Sequence, residues 1–128
     1  MRVLLDSHTV FWWLLERERL TSAASAAIES ANNEVFVSVA TAWEIAIKVG
    51  AGKWVATGSL LNRFEEEMRQ SDFRLLPITV AHARAGGLIV SPHRDPFDRL
   101  LAAQVRIEGM PIVLADPRML ALGAEVIW

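Results

Sequence analysis

Short apolar runs alternate with amphipathic stretches along the whole chain. Arg2-Val3-Leu4-Leu5 is rich enough in apolar residues for a buried strand, and Asp6 ends it. Ser7 is placed to cap a helix over His8–Leu15, in which Val10, Phe11, Leu14 and Leu15 share a face. Thr21-Ser22 caps a second, alanine-rich helix running to about Ala31. Asn32-Asn33 reads as a turn and Glu34-Val35-Phe36-Val37 as a second strand. Ser38 opens a helix through Lys48 that stops near Gly50 and Gly52. Ser59 caps a helix from Leu60 to about Gln70, Phe73–Leu76 is a short strand, and Thr79 caps a brief helix ending at Gly86-Gly87. The next helix, Pro96–Glu108, stops at Gly109. Pro111–Ala115 is a buried strand, Asp116-Pro117 turns into a last short helix, and Glu125-Val126-Ile127 is a final strand.

Strands alternating with helices imply an α/β fold with a parallel sheet covered on both faces. At 128 residues the chain is one domain, spanning residues 1–128. Ligands of such sheets bind outside the carboxyl ends of the strands. Asp6 and Asp116 each follow an apolar strand at that edge. The helices opened by Ser38 and Asp95 begin at the same edge, and Glu44 and Asp98 lie in their early turns. Four carboxylates far apart in sequence are therefore expected to meet.

The stretch His93-Arg94-Asp95-Pro96-Phe97-Asp98 admits two readings. Asp95 is a preferred N-cap residue and Pro96 suits the first helical position, so Asp98 could close a capping box. Two acids at a helix mouth could instead hold a cation, and the convergence of Asp6, Glu44 and Asp116 on the same edge favours that account. Glu44 likewise stands at i, i+4 from Lys48, the spacing of a surface ion pair. Trp12, Trp13 and Trp43 could stack on bases but read as core or interface residues, His93 reads as a solvated loop residue, and Glu65–Glu67 as a wet helix face.

The absence of cysteine excludes a disulfide framework, a thiolate zinc site and a cysteine nucleophile, and fits a reducing, cytoplasmic setting. Asp6 and His8 interrupt the only early apolar run, so no secretory or membrane-spanning segment is expected. With only three histidines available, an all-oxygen site suits Mg²⁺ or Mn²⁺ rather than zinc. Such ions support phosphodiester hydrolysis by in-line attack of water, without a protein nucleophile. A net charge of −2 is no obstacle: with four carboxylates set aside the rest of the chain carries +2, and 11 of its 13 basic residues are arginine.

Leu4-Leu5-Asp6-Ser7-His8-Thr9 with Trp12-Trp13, the run Ser38–Lys48, the run His93–Gln104 and Ala115-Asp116 together resemble the PIN-domain family of metal-dependent ribonucleases, and most nearly its VapC-type toxins. The likeness runs in order through the whole chain. It implies a three-layer α/β/α domain with a central parallel sheet of about four to five strands. It also implies that Asp6, Glu44, Asp98 and Asp116 bind Mg²⁺ or Mn²⁺ and act on RNA, with Asp95 and Ser7 as accessories. The chain departs from the family in carrying Leu114 where a threonine is frequent and Met119 where an aromatic is. As partners the resemblance implies an antitoxin from a neighbouring gene and a second copy of the chain. The high apolar content, with Trp12, Trp13 and Trp54 beside turns and helix faces, points to a homodimer as well. Two alternatives remain open at this point: a regulatory RNA-binding module without turnover, and a metal-dependent phosphatase of small phosphoesters.

Overall fold

The computed structural model describes residues 1–54 and 57–128. A five-stranded parallel sheet occupies the centre, built from β1 (Arg2–Leu5), β2 (Glu34–Ser38), β3 (Phe73–Leu76), β4 (Ile112–Val113) and β5 (Val126–Ile127), in the order β3-β2-β1-β4-β5. The helices are α1 (Ser7–Leu15), α2 (Ser22–Glu29), α3 (Val39–Gly50), α4 (Gly58–Asn62), α5 (Phe64–Gln70), α6 (Val80–Leu88) and α7 (Pro96–Glu108). A 3₁₀ segment covers Pro117–Leu122. Among the described residues no helix is long and apolar enough to cross a membrane.

The sheet separates two cores, and alternation along β1 assigns its residues between them. Val3 and Leu5 join Val10, Trp13, Ile28, Val37, Ile45, Met68 and Phe73 on one face. Leu4 joins Leu101, Val105, Ile112, Leu114 and Met119 on the other. The two departures from the family pattern, Leu114 and Met119, are thus buried apolar residues of the second core.

Most helix ends follow their local chemistry. The hydroxyls of Thr21, Ser38 and Thr79 accept from backbone N–H groups at the starts of α2, α3 and α6, and Gly109 ends α7 in the left-handed conformation at φ 67°. Three expectations need correction. Ser59 does not cap its helix: it lies inside α4, whose N-cap residue is Thr57. Asp6, not Ser7, caps α1, its carboxylate accepting from the His8 N–H at 3.1 Å. The expected helix from Leu60 to Gln70 is broken at Arg63, whose φ of −117° and ψ of 25° separate α4 from α5. Leu60, Phe64 and Met68 are all buried, so the apolar period runs through the break without encoding it.

Trp13 is also not surplus surface: it is buried against Phe73 at 5.9 Å between ring centroids. Trp12 and Trp54 are half-buried beside Trp128 and Phe11 respectively. Large apolar residues that are exposed include Leu15 on α1, Trp43 and Ile47 on α3, and Val80, Leu88, Val90 and Ile107 on or beside α6 and α7.

Among the described residues α6 and α7 make the most extensive helix–helix contact, and glycine permits it. A Cβ at Gly86 would stand 3.3 Å from the Arg99 carbonyl oxygen and the Leu100 Cα, whereas one at Gly87 would meet nothing within 4 Å. Gly86→Val is therefore expected to cost about 1–3 kcal/mol by overpacking against backbone. Gly87→Ala should gain up to about 1 kcal/mol from helix propensity. Thermal melts of the two variants check the difference in sign.

Candidate active site

β1 and β4 are adjacent, and the chain leaves β1 toward β2 on one side and reaches β4 on the other, so the carboxyl ends of β1 and β4 flank the switch point of the sheet. Asp6 follows β1 directly and Asp116 follows β4 by three residues. The Asp6 N–H donates to the Val113 carbonyl at 3.2 Å, and the buried Thr9 hydroxyl donates to the same oxygen at 2.8 Å, tying the two strand ends together. Glu44 reaches this edge from α3 and Asp98 from the first turn of α7.

Each acid is held by a group of its own chain. Glu44 accepts from the buried Ser7 hydroxyl at 2.7 Å and lies 3.2 Å from the Lys48 ammonium. The surface-pair reading of Glu44 is thus present, yet its side chain is only 13 % exposed. Asp98 accepts from His93 Nε2 at 2.7 Å, which assigns the proton of that ring to Nε2. Asp98 closes no capping box among the described residues. Asp95 alone caps α7, accepting from the Phe97 and Asp98 N–H groups at 2.9 and 3.0 Å. Asp116 caps the final 3₁₀ segment through the Arg118 N–H and takes the Arg118 guanidinium in a bidentate pair, Nε donating to Oδ1 at 3.1 Å and Nη2 to Oδ2 at 2.6 Å.

The acids also lie in one another's fields. Burial pushes the Asp98 carboxyl above its ordinary value; the His93 hydrogen bond opposes this, and the charges of Asp95 and Asp6 add to it. The Arg118 guanidinium holds Asp116 below its ordinary value, with a smaller effect of the same sign from His93. The hydrogen bond to Asp6 raises His8, against its burial, and both Lys48 and Glu44 act on it. Asp6, Glu44, Asp95, Asp98 and Asp116 therefore belong to one electrostatic neighbourhood. Among the described residues, however, no three Asp, Glu, His or Cys side chains stand together as a group able to hold an ion. The backbone brings the acids to one edge, while their side chains turn to Ser7, Lys48, His93 and Arg118.

Arg99, to which no local sequence pattern assigns a role, organises this edge. Its guanidinium donates to the carbonyls of Gly86 at 3.2 Å, His93 at 3.1 Å, Gly87 at 3.3 Å and Ile89, fixing the connection between α6 and α7. His93, read as a solvated loop residue, has a side chain only 10 % exposed. The signal for it was its place five residues before Asp98, across a helix start stiffened by Pro96.

A family model described as PIN domain matches residues 3–125. The chain belongs to the PIN-domain family. Within it, this PIN domain is 35% identical over 127 residues to Ribonuclease VapC22 of Mycobacterium tuberculosis, covering 91% of this chain and 88% of that one. Its fold is shared with a chain in the crystal structure of VapBC2 from Rickettsia felis bound to a DNA fragment from their promoter. That match has a TM-score of 0.68 and 12% identity, over 98% of this chain and 97% of the other. FitAcB from Neisseria gonorrhoeae has a TM-score of 0.63 at 20% identity, over 97% and 95%.

Proposed function

We propose that this PIN domain is a Mg²⁺- or Mn²⁺-dependent endoribonuclease and the toxin of a toxin–antitoxin pair, acting in the cytoplasm. The observation that carries the reading is the placement of Asp6, Glu44, Asp98 and Asp116 around the carboxyl ends of β1 and β4. The donor set fits such an ion. It is all oxygen, with no thiolate, and Asp98 lies half-buried in the negative field of Asp95 and Asp6, which a cation would relieve. Bound by these four residues, Mg²⁺ or Mn²⁺ would supply Lewis-acid stabilisation of phosphoryl charge and an acidified water. The chain's own part is positioning. Ser7 orients Glu44, His93 orients Asp98, and Asp95 holds the start of α7 so that Asp98 faces the edge.

The similarity to Ribonuclease VapC22 supports RNA as substrate, and the antitoxin partner rests on the sequence resemblance to VapC-type toxins. An antitoxin segment carrying a basic side chain would pair with the acids and exclude metal or substrate. Apolar residues left exposed on α6 and α7, Leu88 and Ile107 among them, are surface that a second copy of the chain would cover.

The test is cleavage of a single-stranded RNA by the purified protein with Mn²⁺, with Mg²⁺ and with a chelator, beside a generic aryl phosphate. RNA cleavage in either metal, absent with chelator and suppressed by the co-expressed neighbouring gene product, is expected. RNA binding without turnover would leave a regulatory module, and faster turnover of the aryl phosphate would leave a phosphatase.

A further inference from the structure

Trp43 and Phe97 each stand one residue before an acid of the site, Glu44 and Asp98. Their rings meet edge-on, with centroids 5.2 Å apart and planes inclined by 68°. Phe97 is half-buried, but Trp43 is 62 % exposed. Such exposure leaves the largest apolar side chain in water, next to the most charged part of the molecule. Trp43 lines a cavity of ≈ 680 Å³ together with Pro96, Ile89, Val90, Arg94 and Arg99. That volume lies within the about 300–1,000 Å³ of small-ligand pockets.

The two arginines of the cavity differ. Arg99 is committed to backbone carbonyls of the α6–α7 connection. Arg94 is exposed and makes no ion pair among the described residues. An aromatic ring already held in place and a guanidinium without a counter-ion are complementary to the two parts of a nucleotide. The ring accepts the flat face of a base, and the guanidinium accepts phosphate through a bidentate fork.

The geometry points to a nucleotide subsite in which an unpaired base of the RNA stacks on Trp43 while Arg94 pairs with an adjoining phosphate. The inference rests on the nuclease reading and names where the strand lies beside the acids. A second copy of this chain is the competing occupant, because Ile89 and the fully exposed Val90 line the same cavity. A purely apolar contact gives no role to an unpaired guanidinium, and the charge of Arg94 therefore favours the polyanion.

The test measures binding of a short fluorescent single-stranded RNA across a salt series, in an Asp98→Asn background that prevents cleavage, and of the same backbone lacking bases. Trp43→Ala should weaken binding of the RNA about 5- to 150-fold, the range for losing one stacked base, and Trp43→Phe should lose less. Neither change should alter binding of the baseless strand. Arg94→Ala should reduce the slope of log affinity against log salt by about 0.7, the value for one phosphate contact on a single strand. Carried into the Asp98-containing protein, Trp43→Ala should raise KM with kcat near the parent's. Parent-like RNA binding by both variants overturns the subsite, as does loss of self-association by Trp43→Ala with RNA binding unchanged. Failure of the nuclease reading would be seen separately, as absence of metal-dependent RNA cleavage by the Asp98-containing protein.

Discussion

Asp98→Asn is expected to lose at least about a hundredfold in metal-dependent RNA cleavage while keeping the fold. Replacing groups that merely orient metal ligands costs 10–100-fold, so removing the charge of a ligand should cost no less. The amide oxygen can still accept from His93 Nε2, and Asp95, not Asp98, caps α7. Stability should move the other way. The folded protein raises the Asp98 carboxyl above its ordinary value, mainly through burial. Its ionised form therefore opposes folding. This cost is fully present above the folded-state pKa and disappears as pH falls below the unfolded-state one. In the absence of divalent metal at neutral pH, Asp98→Asn should melt no lower than the parent, and the advantage should vanish in acid. A variant that unfolds would return Asp98 to a structural role.

Arg99→Ala is expected to destabilise and to inactivate together. The guanidinium serves carbonyls of Gly86, Gly87, Ile89 and His93, and hydrogen bonds to a charged donor contribute about 1.5–3 kcal/mol each where they are shielded. The site is only half-buried, so a total of about 2 kcal/mol is a conservative figure, equivalent to roughly 7 °C in thermal midpoint. The connection that carries His93 should exchange its amide hydrogens faster, and cleavage should fall because Asp98 loses its orienting partner. Arg99→Lys offers one ammonium in place of a fork and should recover only part of either effect. Hydrogen exchange and RNA cleavage, measured on the same preparations, check both halves.

The elements legible in the sequence are those written in local chemistry. Thr21, Ser38, Thr79 and Asp95 cap, and Gly109 stops a helix, because a short polar side chain or a missing Cβ acts within four residues. Neighbouring residues with similar chemistry are harder to separate. Asp6 and Ser7 can both cap, and the choice follows from extended backbone at Asp6, with ψ 159°, while Ser7 turns inward to Glu44, 37 residues away. The break at Arg63 is silent because the apolar period passes through it. β4 is shorter than the apolar run Pro111–Ala115: it pairs through only Ile112 and Val113, with β1 on one side and β5 on the other.

The edge on which the acids lie followed from topology alone, since strand ends and helix starts of a parallel sheet share it. What holds each acid did not. Lys48 was visible by helical spacing, but His93 and Arg99 act through a connection whose path only the packing of α6 on α7 defines.

The most direct test of the account is a crystal of the protein grown with Mn²⁺, with the ion located by its anomalous scattering. An ion is expected at the carboxyl ends of β1 and β4, held by Asp6, Glu44, Asp98 and Asp116. Asp116 should have released Arg118 to do so. Manganese bound elsewhere, or a Mn²⁺-saturated protein in which Asp98 remains on His93 and Asp116 on Arg118 with no ion between them, would contradict it.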